Sequence, residues 1–190
     1  MMPPVGSPPD APQPKPSAWR ENLESLIWAG ALALLIRTFV IAPFKIPSGS
    51  MRPTLIEGDR ILVNKFIYRF QEARRGDIVV FRFPTDPKRP FIKRLVATGG
   101  ERVELRDGKA LVNDQPADGA GFFEKNHYYN QGEYGKSGQI IEVPVGQYYV
   151  LGDNSASSHD SRFWGFVPRG LMIGRAICIF WPPQRIRRLR

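Results

Sequence analysis

Cysteine and histidine are scarce in this 190-residue chain: Cys178 stands alone, and His127 and His159 are the only two histidines. A lone thiol excludes an intrachain disulfide and any multi-cysteine metal site. It lies in the apolar run Ile177-Cys178-Ile179-Phe180, where a buried structural thiol is expected. The two histidines are far apart and lack ligand-like spacing, so neither a metal nor a cofactor is expected. Acidic residues are also in deficit, 18 against 27 Lys and Arg, for a formal net charge of +9. The basic residues are scattered along the chain, which speaks against nucleic acid as the partner. The basic run Arg185-Ile186-Arg187-Arg188-Leu189-Arg190 reads either as a segment held to anionic phospholipid, at about 1 kcal/mol per basic residue near such a surface, or as a solvated one. Helical periodicity is nearly absent beyond residue 45, and no internal repeat is found.

There is one long apolar run. From Leu26 to Phe44 the chain reads LIWAGALALLIRTFVIAPF, about 19 residues, which as a helix would cover roughly 28 Å, close to a hydrocarbon core. Arg37 lies toward its end, from where the side chain can snorkel to the interface. A transmembrane helix over residues 21–44 is therefore expected, uncleaved, since the preceding prolines and acids make a poor basic leader for a secretory signal. Residues 1–17 carry seven prolines and read as a disordered tail, assigned to residues 1–20. Orientation does not follow from charge: Lys15 and Arg20 precede the run, whereas Lys45, Arg52, Arg60 and Lys65 follow it. That count is weak, because long domains are translocated largely regardless of charge.

Residues 45–190 suit one compact domain, and its pattern is mainly β. Arg60 to Phe66, Asp77 to Arg82, Phe91 to Val96, Arg102 to Leu105, Gln147 to Leu151 and Ile173 to Phe180 are short runs of β-branched and aromatic residues bounded by turn signals. Asp107-Gly108, between VELR and KALV, is a two-residue hairpin signal. Glu124 to Gly138 reads as a long exposed loop.

Directly after the apolar run stands Ile46-Pro47-Ser48-Gly49-Ser50-Met51-Arg52-Pro53-Thr54-Leu55. Two serines flank a glycine, and two prolines stiffen the flanks, so the turn is able to aim a hydroxyl. A serine nucleophile needs a proton acceptor and donors for the oxyanion. Two acceptors are compatible with the spacing. One is His159 with Asp153 or Asp160, a Ser-His-Asp triad. The other is a lysine made neutral by burial: Lys93, in Phe91-Ile92-Lys93-Arg94-Leu95-Val96, has apolar neighbours on both faces of a strand.

The Ser50 decapeptide, the segment Arg75-Gly76-Asp77-Ile78-Val79-Val80-Phe81 running on to Ile92-Lys93-Arg94, and Gly152-Asp153-Asn154 followed by Ser158, Asp160-Ser161-Arg162 and Trp164-Gly165 resemble the boxes of the type I signal peptidases. The resemblance covers roughly residues 44–175, apart from the stretch near 101–143. It implies a signal-peptidase-type antiparallel β-sheet catalytic domain with a small inserted β lobe at 101–143, preceded by one transmembrane helix. It also implies a membrane-anchored Ser/Lys endopeptidase that removes signal peptides from exported preproteins. By the same matching Ser50 is the nucleophile and Lys93 the general base. Ser48 and the backbone N–H of Ser50 form the oxyanion hole. Ser158 orients the lysine, with Ser157 as the alternative. Asp153 and Arg162 brace the site as an ion pair that Asp160 joins. Phe44, Ile46, Pro47, Ile61, Val80 and Ile92 would line pockets for the small P1 and P3 residues of an Ala-X-Ala site, Met51 adding to P1. The implied setting is the bacterial cytoplasmic membrane, crossed once, with the tail in the cytoplasm and the catalytic domain on the extracytoplasmic side. A pilin or conjugation maturation peptidase of the same clan, and an inactive membrane-tethered β binding module, are the competing readings.

Overall fold

The computed structural model describes residues 18–35, 40–117 and 121–189. The chain divides into two units between Ile36 and Arg37. In the first, helix α1 covers Ala18–Leu35. Its apolar side chains are largely uncovered; Leu26, Trp28 and Leu34 are 70%, 69% and 66% exposed. No helix among the described residues is long and apolar enough to cross a membrane. Residues 1–17 of the tail expected at 1–20, and residues 36–39 within the expected span, lie outside the described residues; the tail is corrected at 18–20, which form the first turn of α1.

The second unit is built of strands β1 (Ile41–Lys45), β2 (Arg60–Asn64), β3 (Ile78–Phe83), β4 (Asp86–Thr98), β5 (Arg102–Arg106), β6 (Lys109–Val112), β7 (Gln115–Pro116), β8 (Ile140–Glu142), β9 (Gln147–Leu151), β10 (Val167–Pro168), β11 (Met172–Trp181) and β12 (Arg187–Arg188). Short helices α2 (Phe122–Lys125) and α3 (Ser161–Trp164) sit in the connections. The larger sheet runs β1-β2-β11-β3-β4-β9-β10, with β12 on β11; the smaller runs β7-β6-β5-β8. Each described pairing is antiparallel.

The helix expected over 21–44 is corrected at its end. Residues 41–45 form edge strand β1, with Ile41 opposite Asn64 and Lys45 opposite Arg60. Pro43 explains the change: it lacks the N–H a helix interior needs, a loss of about 3 kcal/mol, whereas an edge strand accommodates it.

Period-two burial shapes the smaller sheet, where Val103, Leu105, Ala110 and Val112 turn inward between exposed or half-buried neighbours. Asp107 and Gly108 adopt φ of 52° and 73° and bring Arg106 opposite Lys109, the hairpin that their sequence signals. The central strands lack such alternation. Along β4, Lys93, Arg94, Leu95, Val96 and Ala97 are all buried, because both faces are covered. Leu95 joins Val79 and Phe81, while Val96 and Ala97 pack with the core of the smaller sheet.

Two expectations about the last part of the chain change. Cys178 is only partly buried. The basic run at 185–190 is anchored at its described end and otherwise stays open to solvent: β12 pairs with β11 and Leu189 is 9% exposed within the core that holds Met51, Leu55 and Ile61, whereas Ile186, Arg187 and Arg188 are exposed.

Candidate active site

Ser50 sits in a 3₁₀ turn, Gly49–Met51, that follows edge strand β1 after a short linker. The turn is fixed from across the molecule: the Asn154 side chain donates to the Gly49 carbonyl at 3.1 Å and the Asn154 N–H to the Ser50 carbonyl at 3.0 Å. Lys93 comes from β4, between β3 and β9. The two side chains meet with Nζ 2.7 Å from Oγ, and they are 4% and 8% exposed. At that distance the amine donates when protonated, and the hydroxyl donates to its lone pair once it is neutral.

Burial pulls the Lys93 amine down from its ordinary 10.5 to about 8; Asp160 and Asp153 act against that shift and Arg162 acts with it. The carboxylates do not overturn the effect of burial because each carries its own arginine. Arg94 grips Asp153 with two bonds, 2.9 and 2.7 Å. Arg162 grips Asp160 in the same way, 2.8 and 2.9 Å. The expected Asp153–Arg162 pair is thus corrected to two separate pairs, Arg94–Asp153 and Arg162–Asp160. Sequence reasoning missed the role of Arg94, although its place beside Lys93 on a strand buried on both faces signals a need for a buried counter-charge.

Lys93 also makes a contact that was not expected. Ser158 is buried, but its hydroxyl has no hydrogen-bond partner, and Ser157 is exposed. A second acceptor for Nζ is the Ile92 carbonyl at 3.0 Å, a backbone group that residue types cannot reveal. Ser158 stays close to the turn all the same. A Cβ on Gly152 would fall 2.0 Å from the Ser158 Oγ and 2.6 Å from the Ser50 carbonyl oxygen, so only glycine fits between them. Asp160 accepts the Gly152 N–H at 2.9 Å, which ties the Arg162 pair to the same point.

Ser48 precedes the turn in an extended conformation, exposed, with no capping hydrogen bond from its hydroxyl. Phe44, Ile46, Pro47, Ile61, Val80 and Ile92 are brought together around one cavity of about 80 Å³, which Lys45, Pro90 and Phe91 complete. A space of two to three water volumes, each roughly 30 Å³, is on the scale of a small side chain. Met51 does not line it; it is fully buried in the core beneath.

The triad is not assembled. His159 is exposed and stacks on Phe163, centroids 5.1 Å apart, with its edge toward Phe83, while Asp153 and Asp160 are both held by arginines. His159→Ala is therefore expected to keep activity within about threefold, in line with the ±0.5 kcal/mol or so of ordinary surface changes, as measured by initial cleavage rates.

A buried serine–lysine contact beside a small apolar cavity is a hydrolase geometry, and the comparisons agree with that class. The family model described as signal peptidase, peptidase S26, matches residues 19–181. A signal peptidase I from Leptolyngbya laminosa is 41% identical over 190 residues, covering 95% of this chain and 89% of the relative. A probable signal peptidase I-2 from Synechocystis sp. is 40% identical over 179 residues, covering 91% and 78%. A signal peptidase I from Aquifex aeolicus is 32% identical over 215 residues, covering 85% and 84%. The chain belongs to the signal peptidase family, peptidase S26, as a type I signal peptidase, a hydrolase of the serine protease class.

Proposed function

We propose that this signal peptidase I cuts exported preproteins with Ser50 as nucleophile and Lys93 as general base. The observation that carries the reading is the buried 2.7 Å contact between Lys93 Nζ and Ser50 Oγ. Neutral Lys93 takes the hydroxyl proton as Ser50 attacks the scissile carbonyl. It returns that proton to the leaving amine, then activates the water that hydrolyses the acyl-enzyme. Ser48 and the Ser50 N–H stabilise the oxyanion, a donor of this kind being worth about 10² to 10³ in rate. Asp153, Arg162 and Asp160 support the site. Ser158 acts as lysine-orienting residue when substrate covers the groove; its free hydroxyl supports this. The cavity lined by Ile46, Ile61, Val80 and Ile92 selects small P1 and P3 residues by excluding large ones, which suits an Ala-X-Ala site.

The enzyme crosses the bacterial cytoplasmic membrane once, before β1, with the catalytic unit on the extracytoplasmic side and the bilayer as its surface partner. Support comes from the apolar run at 26–44 and the uncovered leucines of α1.

The test is cleavage of a signal-bearing preprotein by the purified enzyme against Ser50→Ala, with the cut bond mapped. Cleavage after a small residue by the wild type alone is expected. An active Ser50→Ala, or a cut after a bulky residue, would refute the reading. The pH profile follows from the Lys93 value of about 8: below it the amine is protonated and cannot accept, so kcat/KM is expected to fall about tenfold per pH unit on the acid side and level off above. An acid limb centred near 6.5, the ordinary histidine value, would instead implicate a histidine base.

A further inference from the structure

The loop that carries Ser50 runs from Ile46 to Asp59. Its base is closed by the Ile46 N–H donating to the Asp59 carbonyl at 2.9 Å and the Gly58 N–H donating to the Ile46 carbonyl at 3.0 Å. Asn154 holds one flank at Gly49 and Ser50. The other flank is held by a segment more than 120 residues away in sequence. Arg185 grips the Asp59 carboxylate with Nε at 2.8 Å and Nη2 at 3.0 Å. Asp59 is 1% exposed and also accepts the Ile56 N–H at 3.0 Å, so one carboxylate links the loop's own backbone to that arginine. Arg187 Nη2 donates to the Thr54 carbonyl. Leu189 belongs to the same core cluster as Met51 and Leu55 of the Ser50 loop, and its N–H donates to the Ile177 carbonyl at 2.8 Å.

These contacts reach both halves of the catalytic pair. Thr54, held through its carbonyl by Arg187, has its side chain close enough to Asp153 to oppose the upward pull of burial on that carboxyl. Asp153 is in turn held by Arg94, the neighbour of Lys93. Register along β11 fixes where the arginines stand, with Arg187 opposite Ile179. A basic segment that looks like a surface feature in sequence thus turns two of its guanidinium groups onto the nucleophile's loop, Arg185 half-buried and Arg187 exposed.

We infer that residues 185–189 form a clasp that sets Ser50 against Lys93, with Arg185 and Arg187 as positioning residues. This rests on the Ser50/Lys93 reading given above. A displacement of about 1 Å at a reacting atom costs about 10²-fold in rate, so loosening the loop on this flank acts on the chemical step more than on substrate binding. Arginine suits the task at 185 because its planar fork meets both carboxylate oxygens, which a lysine cannot do.

The experiment measures kcat and KM for preprotein cleavage by the full chain carrying Arg185→Ala with Arg187→Ala, with thermal unfolding recorded alongside. Arg188→Ala, exposed on the same segment but with no side-chain hydrogen bond to the Ser50 loop, is the control. The folded double variant is expected to lose about 10- to 100-fold in kcat with KM within about twofold, which is the pattern of an interaction acting on the transition state. Arg185→Lys should fall between wild type and Arg185→Ala, and Arg188→Ala should match wild type. If the double variant is unfolded at the assay temperature, Arg187→Ala alone is judged by the same ratio. Unchanged kcat in a folded variant, a loss carried by KM, or an equal loss in Arg188→Ala would overturn the clasp. Ser50→Ala and Lys93→Ala run in the same assay separate the two ideas. If either cleaves, the catalytic reading fails; if both are inert while the clasp variant keeps full kcat, only the clasp falls.

Discussion

Replacing Lys93 with methionine is expected to stop preprotein cleavage and, in the same protein, to make the fold harder to unfold at pH 7. The first effect follows from the loss of the base: in serine hydrolases, removing one member of the catalytic group costs on the order of 10⁴- to 10⁶-fold. The second follows from burial. Holding a lysine whose ordinary value is 10.5 at about 8 corresponds to on the order of 3 kcal/mol of unfavourable desolvation when the amine is charged. Below pH 8 both the folded and unfolded states are protonated, and the folded state carries that whole penalty. Between about 8 and 10.5 the unfolded chain binds more protons than the folded one, so stability rises with pH; above 10.5 both states are neutral and the penalty is gone. The advantage of Lys93→Met should therefore be largest at pH 7 and shrink steadily from pH 8 upward. Urea unfolding of the two proteins at pH 7 and pH 10 measures the difference. An advantage that is absent at pH 7, or the same at both values, would mean that the amine is not desolvated in the free enzyme.

Arg162→Ala is expected to cost about 3–5 kcal/mol of stability, the range for breaking a buried ion pair and stranding one charge. Arg162 is 0% exposed, and it is the hub of the segment around Ser158. Besides Asp160 it donates to the Ser155 carbonyl at 2.8 Å, the Ser155 Oγ at 2.8 Å, the Ser158 carbonyl at 3.2 Å and the Tyr129 carbonyl at 2.9 Å. Arg162→Lys should recover little, since three donors on one nitrogen cannot replace a planar fork. The change also reaches Lys93: Arg162 helps to lower that amine and Asp160 helps to raise it. With the arginine gone, the acid limb of kcat/KM should move to higher pH. Denaturant midpoints and the pH-rate limb read the two effects separately, and a variant as stable as wild type would rule out the hub role.

The amino-acid sequence carried the features that are local. Alternation in RILVN and VELR, the Asp107-Gly108 turn and the β-branched runs each depend on neighbours within a few positions, and the strands they signal are present within a residue or two, β4 extending well beyond its run. The turn at Ser50 and the apolar setting of Lys93 were legible for the same reason, whereas the apolar residues that share the small cavity were named only by the resemblance to the type I signal peptidases. Pro43 misled only because a long apolar run outweighed one residue, although that residue was itself the signal for an edge strand.

What the fold alone decided depends on register between distant strands. Arg94 meets Asp153 across 59 positions and Lys93 meets Ser50 across 43. No spacing rule says which of several arginines faces which aspartate, or that the Ile92 carbonyl takes a second lysine proton. The folding of residues 185–189 onto the Ser50 loop belongs to the same group, since a basic run looks alike in sequence whether it is solvated or clasped. Side-chain chemistry and local periodicity thus set which groups were available, and antiparallel register set which of them met, because hydrogen-bond and ion-pair partners are chosen by distances that only the packed sheets define.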